Sequence, residues 1–340
     1  MPNKVIIIAE AGVNHNGSIE LAKDLIDVAA QSGADYVKFQ TFKAEKLVSR
    51  SANLADYQKN NLKQTNQTQF EMLSKLELNE SAHHELIAYC KKQGVKFLST
   101  GFDIGSLEML NLLGIDIFKV PSGEITNLPY IEKLISFRKP IILSTGMCTL
   151  QEVRNTFRII TESGVSVDQI TILHCNTEYP TPFKDVNLKA MSSIQKEFGV
   201  QVGYSDHTLG IEVPIAAVAM GAVCIEKHFT LDRSMDGPDH KASLEPDELK
   251  SMVCAIRNIE QALGDGIKRP SESEQKNINI ARKSIHINKE LKEGHLLSAE
   301  DFDMMRPGDG LSPMSYKELV GRKIKRDLSI NHQLKLADLR

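Results

Sequence analysis

Residues 201–229 read QVGYSDHTLGIEVPIAAVAMGAVCIEKHF: a short β-type run, an apolar segment bounded by glycines with helical character, then a second β-type run. A strand, helix and strand in this order build a parallel sheet, because parallel neighbours need a crossover between them. Both strands pass from apolar residues into ionisable ones at their C-terminal ends, SDH at 205–207 and EKH at 226–228. Removing that many charges from water is costly unless each has a partner, so these ends are either used or badly placed.

The same unit recurs towards the N-terminus. Six earlier runs, KVIIIAEAG (4–12), YVKFQT (36–41), KFLSTGF (96–102), IFKVPS (117–122), PIILSTG (140–146) and ITILHCN (170–176), alternate with segments of helical spacing, several ending at a glycine. With 201–207 and 222–229 they make eight strands and eight helices, the pattern of an α/β (β/α)8 TIM barrel, typically about 250 residues. A doubly wound open sheet is the competing architecture, but no G-x-G-x-x-G follows the first strand. The expected barrel spans 1–265, a polar connecting segment 266–282, and a small β-rich domain 283–340. A unit of that size is marginal alone and is expected to dock against a barrel.

Composition narrows the function classes. The chain has 340 residues, 41% hydrophobic and 25% charged, with a net charge of −3 and Lys and Arg scattered, so no basic footprint for nucleic acid is present. The N-terminal apolar run is too short for a signal peptide or a membrane span, which predicts a cytoplasmic protein. Five cysteines without a C-x-x-C pair read as reduced core thiols.

In a barrel, catalytic groups come from the C-terminal strand ends. Here these carry Glu10, Asn14 and His15, then Lys38 and Gln40, Thr100, and Lys119, Ser122 and Glu124. Ser144, Asn176, Glu178, Tyr179, Ser205, Asp206, His207, Glu226 and His228 follow. His207 and His228 end consecutive strands about 4.8 Å apart and are candidates to hold one divalent ion at about 2.0–2.3 Å per bond. Two imidazoles with oxygen ligands suit manganese, iron, cobalt or zinc; the alternative is that each histidine satisfies a backbone group. Lys38 and Lys119 lie inside apolar strands, where an inward ammonium needs an anion and an outward one is covered by the helix layer. Hydroxyls of Thr100, Ser122 and Ser144 would complete a phosphate or carboxylate site. Glu10, Glu124 and Glu178 are candidate proton carriers or ion-pair partners. Tyr179 either stacks on a sugar or packs its loop. The connection 42–79 exceeds a normal loop and is either a lid or a surface insertion.

The motifs AEAGVNHNG, VKFQTFKAE, LSTGF, FKVPSGE, ILSTGM, HCNTEYPTPF, GYSDHT, EKHFTLDRSMDGPDH and RPGDG, in order along nearly the whole chain, resemble the bacterial sialic acid synthases. The resemblance implies a barrel followed by an antifreeze-like SAF (β-clip) domain, in a homodimer whose C-terminal domain reaches over the partner's barrel. It implies condensation of phosphoenolpyruvate with an N-acetylated hexosamine, using Mn2+ or, in its place, Mg2+ or Co2+, to a nine-carbon 2-keto acid and phosphate. By the same resemblance His207 and His228 bind metal, while Lys38, Thr100, Lys119, Ser122, Ser144, Asn176, Thr177 and Ser205 bind phosphoenolpyruvate. Gln40, Glu10, Glu124, Tyr179 and Asp239 face the sugar, and Arg306 binds its N-acetyl group from the other subunit. Glu10 and Glu124 are the catalytic carboxyls expected to activate water. One departure is Gly101, where many members have proline, which touches loop geometry rather than chemistry. The alternatives are another phosphoenolpyruvate-condensing or pyruvate-lyase barrel, including a Schiff-base aldolase, and a non-catalytic sugar-binding barrel. The sugar is either N-acetylmannosamine or 2,4-diacetamido-2,4,6-trideoxymannose, with a lean towards the latter, the legionaminate type.

Overall fold

The structure, a computed structural model, describes residues 4–62 and 67–340. The chain divides into two compact units, Met1–Gly264 and Asp265–Arg340. The first is built on eight parallel strands: β1 (Ile6–Gly12), β2 (Tyr36–Thr41), β3 (Lys96–Gly101), β4 (Phe118–Val120), β5 (Ile141–Ser144), β6 (Ile170–Cys175), β7 (Gln201–Asp206) and β8 (Cys224–His228). They pair in the order β3-β2-β1-β8-β7-β6-β5-β4, and the two ends of that order pack side by side, so the sheet closes as the expected TIM barrel.

Helices alternate with the strands: α1 (Ile19–Ser32), α2 (Ala44–Leu47), α3 (Asp56–Asn61), α4 (Gln69–Ser74), α5 (Glu80–Gln93), α6 (Ile104–Leu112), α7 (Leu128–Ser136), α8 (Leu150–Glu162), α9 (Lys189–Phe198), α10 (Glu212–Ala219) and α11 (Pro246–Ala262). Their ends follow local chemistry. Ser18 caps α1 by accepting from Leu21 N–H, and Thr149 and Glu152 form a capping box on α8. Among the described residues no helix is long and apolar enough to cross a membrane.

Period-two alternation sorts each strand into an inner and an outer set. Ile8, Tyr36, Leu98, Ile142, Leu173 and Cys224 form one buried cluster inside the barrel. A larger cluster, including Ile7, Ala9, Val37, Leu143, Val202 and Ile225, packs against the helices. Gly203 is the tightest point between the strands: a Cβ there would lie 2.2 Å from the Cys224 carbonyl oxygen and 2.6 Å from Leu173 Cδ2. Only a hydrogen fits.

The connection 42–79 is neither an open loop nor a bare surface insertion. Its helices α2 to α4 bury a core of their own, with Phe42, Leu54, Met72, Leu73 and Leu76 packed against Phe102. Asn61 Nδ2 then donates to the Pro238 carbonyl at 2.7 Å, tying this layer to the loop after β8.

The second unit contains an antiparallel pair, β9 (Ser284–Ile287) with β10 (Phe302–Met305). It is also an internal duplication. INKELKEGHLLSAEDF at 287–302 recurs as IKRDLSINHQLKLADL at 324–339, an offset of 37 residues (324 − 287). Each copy buries one aspartate under a histidine and a basic residue. Asp301 takes Lys289 at 2.6 Å and His295 at 2.9 Å, and Asp338 takes Arg326 at 2.6 Å and His332 at 2.8 Å. The copies meet where Leu291 and Leu328 exchange backbone hydrogen bonds of 2.9 Å in both directions.

Gly203→Ala is expected to force β7 from β8 at about 1–3 kcal/mol, lowering the thermal midpoint by roughly 3–9 °C. Differential scanning fluorimetry checks this, and an unchanged midpoint would contradict the packing.

Candidate active site

The register of the ladder decides which polar groups meet. Glu10 lies opposite Lys38 on β2 and opposite His228 on β8, and Ser205 lies opposite Glu226. Above the apolar cluster the inward positions turn polar and surround a cavity of about 480 Å3 at the C-terminal end of the barrel.

Its floor is a buried charge cluster. Lys38 Nζ sits 2.9 Å from Glu10 Oε2 and 3.4 Å from Glu226 Oε2, and donates to Thr100 Oγ1 at 2.8 Å. Lys119 Nζ reaches Glu226 Oε1 at 3.4 Å, and Ser205 Oγ donates to the same oxygen at 2.9 Å. Both lysines and both glutamates are at most 4% exposed. Burial raises every carboxyl pKa here, yet Lys119 and Lys38 outweigh it at Glu226 and hold that group well below the usual carboxylate range. At Glu10 burial prevails over Lys38 and moves the carboxyl up to about 7. For Lys38, burial is outweighed by Glu10 and Glu226, so its pKa is raised.

The histidine pair stands beside this cluster. The rings of His207 and His228 have centroids 5.4 Å apart, and Tyr179 packs on both, at 4.0 Å from His207 and 5.5 Å from His228. His207 Nδ1 meets the Asn176 carbonyl at 2.5 Å, which orients the ring and leaves Nε2 for another partner. His228 Nδ1 is buried with no hydrogen-bond partner. Burial lowers the pKa of His207 to about 4 and that of His228 well below its ordinary value, so both rings are neutral, the form that ligates a cation. Gly12, with φ of 53°, passes so close that a Cβ would lie 3.3 Å from Glu10 Oε1, Gln40 Nε2 and His228 Cε1. These residues fit a divalent ion held by two imidazoles. Among the described residues no group of three or more His, Cys, Asp or Glu side chains is arranged for a metal, so the remaining ligands would be oxygens of water or substrate.

Most of the expected residues line this cavity: Lys38, Thr100, Lys119, Ser122, Ser144, Thr177 and Ser205 on one side, Glu10, Gln40, Tyr179, His207 and His228 on the other. Ser144 Oγ is buried and unbonded, an unused group for an anion oxygen. Four expected residues lie elsewhere. Glu124 turns into a separate cavity of about 840 Å3 beside Lys43 and Lys46, where its carboxylate accepts from Asn127 Nδ2 at 2.5 Å. Asn176 spends its side-chain oxygen on Glu178 N–H at 2.8 Å, leaving its carbonyl for His207. Asp239 lines an adjoining cavity, and Arg306 lies in the second unit, donating from Nε to the Ala281 carbonyl at 3.0 Å. Glu226, the group that binds the lysines together, is among the strand-end residues and shares the inward face of β8 with His228, but neither its position nor the resemblance gave it a role.

Known proteins carry the same arrangement of sequence. The NeuB family model matches residues 25–268, and that of the SAF domain matches residues 282–340. The chain belongs to the NeuB family. Within it, this NeuB chain is 55% identical over 321 residues to N,N'-diacetyllegionaminic acid synthase of Campylobacter jejuni, covering 94% of this chain and 95% of the relative. It is 49% identical to the protein of that name from Legionella pneumophila, covering 95% and 91%. The crystal structure of N-acetylneuraminic acid synthetase from Leptospira borgpetersenii, in complex with citrate, superposes with a TM-score of 0.71 at 33% identity, over 81% of this chain and 90% of that one.

The histidines of this NeuB barrel dictate a stability trend. His15, His207 and His240 are held near 4 by burial, His228 well below its ordinary value, and His83 and His174 below theirs. Between pH 6.5 and 4 the unfolded chain therefore binds protons that the folded chain refuses, so stability falls as pH falls. Glu10 and Asp239, raised by burial, act in the opposite sense but are outnumbered. The urea midpoint of EDTA-treated protein is expected to be lower at pH 5.0 than at pH 7.5, and an equal or higher midpoint would refute the assignment.

Proposed function

We propose that this chain condenses phosphoenolpyruvate with 2,4-diacetamido-2,4,6-trideoxymannose and water, releasing N,N'-diacetyllegionaminate and phosphate. One observation carries the reading: two buried lysines share one buried glutamate at the mouth of a barrel, beside a neutral histidine pair. Such a floor carries more positive than negative charge without ligand and offers two lysine side chains to a substrate bearing both a phosphate and a carboxylate. The identities to two legionaminate synthases, across more than nine-tenths of each chain, support the choice of sugar.

In this reading Lys38 and Lys119 hold the two anionic groups of phosphoenolpyruvate, with the hydroxyls of Ser122, Ser144 and Thr177 along the same wall. Glu226 pairs with both lysines and holds them in the cavity. His207 and His228 would hold a divalent ion, manganese first and magnesium or cobalt in its place, which would provide Lewis-acid polarisation of the sugar aldehyde when bound. C3 of phosphoenolpyruvate forms the new bond to the aldehyde carbon, whose oxygen takes up a proton. Water adds to C2 and gives its proton to Glu10, the carboxyl that lines the cavity where Glu124 does not. The bond from C2 to the bridging phosphate oxygen then breaks, its electron pair leaving with phosphate, while the new C2 hydroxyl gives its proton to the departing phosphate and becomes the keto carbonyl. Lys38 is held protonated by Glu10 and Glu226, which disfavours a Schiff base and weighs against the aldolase alternative.

The proposal extends to a cytoplasmic homodimer in which Arg306 of one chain meets the sugar N-acetyl group in the other. The SAF match at 282–340 supports that two-part organisation.

Phosphate release with both candidate sugars tests the reading. The diacetamido sugar is expected to be turned over and N-acetylmannosamine to be a poor substrate; the reverse order would overturn the choice of sugar. With 18O in the bridging oxygen of phosphoenolpyruvate, mass spectrometry should find the label in phosphate, and label retained in the keto acid would exclude C–O cleavage. His207→Ala and His228→Ala are each expected to reduce turnover by about a thousandfold or more with added manganese, while circular dichroism stays that of the parent. Full activity in either variant would remove the histidines from the chemistry.

A further inference from the structure

The residues before the two imidazoles form a charged pair of their own, outside the cavity. Asp206 ends β7 and lies opposite Lys227 of β8 in the ladder, so each immediately precedes one of the histidines. Alternation turns both side chains away from the cavity, and both residues are 0% exposed. Lys227 Nζ meets Asp206 Oδ2 at 2.5 Å and also donates to the Thr208 carbonyl. Asp206 accepts from Thr208 N–H through Oδ1 and from Thr208 Oγ1 through Oδ2, both at 3.0 Å. His207 is thus the middle residue of a turn closed by the carboxylate before it, one step beyond the last rung of the ladder. Its backbone is held by that turn and by Thr181 N–H, which donates to its carbonyl at 2.8 Å, rather than by strand pairing. A buried ion pair adds little stability over apolar residues of the same volume, because desolvation offsets most of the attraction. What it adds is direction, since a charged donor among fixed acceptors sets one distance between two chain segments.

We infer that Asp206 and Lys227 are positioning residues for the cation site. By tying the turn that carries His207 to the residue before His228, they fix the separation and tilt of the two rings, 5.4 Å between centroids and 56° between planes. The inference rests on the functional reading above, in which the two histidines hold a divalent ion, and extends it to a pair that does not line the cavity. Two imidazoles are a sparse ligand set, so their relative placement carries the protein's share of the binding. The two rings are also held unequally. His207 Nδ1 meets the Asn176 carbonyl, whereas His228 Nδ1 is unbonded, and the His228 ring takes its orientation from its backbone and from the Tyr179 ring at 5.5 Å. Lys227 anchors that backbone from the opposite face of β8.

Binding of Mn2+ to the full-length protein, read from the electron paramagnetic resonance signal of the free ion, tests this without turnover. Two variants leave the imidazoles and the cavity lining in place. Asp206→Asn together with Lys227→Met removes both charges at once, so that no lone buried charge remains, and Thr208→Val removes one hydroxyl at nearly constant shape. The double variant is expected to weaken Mn2+ binding by about 10–100-fold and Thr208→Val by about threefold or more, the range seen when groups behind metal ligands are lost. At saturating Mn2+ the KM for phosphoenolpyruvate should stay within about twofold of the parent's, because the lysine wall is untouched. A merely structural role would lower the thermal midpoint and leave the Mn2+ dissociation constant where it was. Dissociation constants within twofold of the parent's in both variants would overturn the positioning role while leaving the functional reading intact. If the double variant does not fold, Thr208→Val decides by the same criterion. Failure of the parent protein itself to bind Mn2+ would overturn the cation site and this inference with it.

Discussion

Glu226 sits between two lysines in the middle of a barrel, and the site depends on that placement. A lone carboxylate at 4% exposure would take a proton; a lone lysine at 3% would lose one. Together, with Glu10 closing the cluster on one side, Glu226 is held ionised and Lys38 protonated. The arrangement holds two ammonium groups in a fixed position before any substrate arrives, so the reorganisation that binding an anion demands in water is already complete. The barrel supplies the geometry because its strands converge at one end and its ladder sets the height of each residue.

The strand that contributes Glu226 also shows how one sequence serves two environments. On β8, Glu226 and His228 face the cavity, and Lys227 between them faces the helix layer, fully buried. There it meets Asp206 at 2.5 Å, the residue before His207, and also donates to the Thr208 carbonyl. Asp206 accepts in turn from Thr208 N–H and Oγ1, both at 3.0 Å. The ends of β7 and β8 are therefore pinned from behind at the residues next to the two imidazoles. Ionisable residues at these ends are costly only if read singly; in the fold Asp206, Glu226 and Lys227 have charged partners, on one face or the other, and the two imidazoles are neutral.

The long connection after β2 shows a different relation between sequence and structure. It is a small packed layer whose apolar side chains do two tasks, filling their own core and walling the adjoining cavity that Asp239 lines. Its anchor is one hydrogen bond from Asn61 to the carbonyl of Pro238, so the wall and Asp239 are held across the cavity from each other. Such a layer can vary in sequence without disturbing the ladder that sets Glu10, Lys38 and His228 at one height.

Much of this was legible from the chain alone, because period-two alternation and glycine- or cap-bounded helices are local signals. The eight strands fall within the stretches read as strands, and the alternation of β8 already implied that Glu226 and His228 share a face. The duplication in the second unit was equally present at an offset of 37 residues, but only a few apolar and ionic positions repeat, so it emerges once the paired Asp301 and Asp338 sites are seen together. What the chain could not reveal is direction and distance beyond the ladder. Glu124 lies just past β4 and reads like Glu10, yet a 3-10 turn at Ser122–Glu124 carries it into the neighbouring cavity. Whether the connection after β2 forms a lid, an insertion or a wall depends on packing against a loop 177 residues away, and no local pattern encodes that contact. Local periodicity thus determined the elements and their inward faces, whereas tertiary packing decided which ends meet, because the cost of burying charge is settled only by the partner found in space.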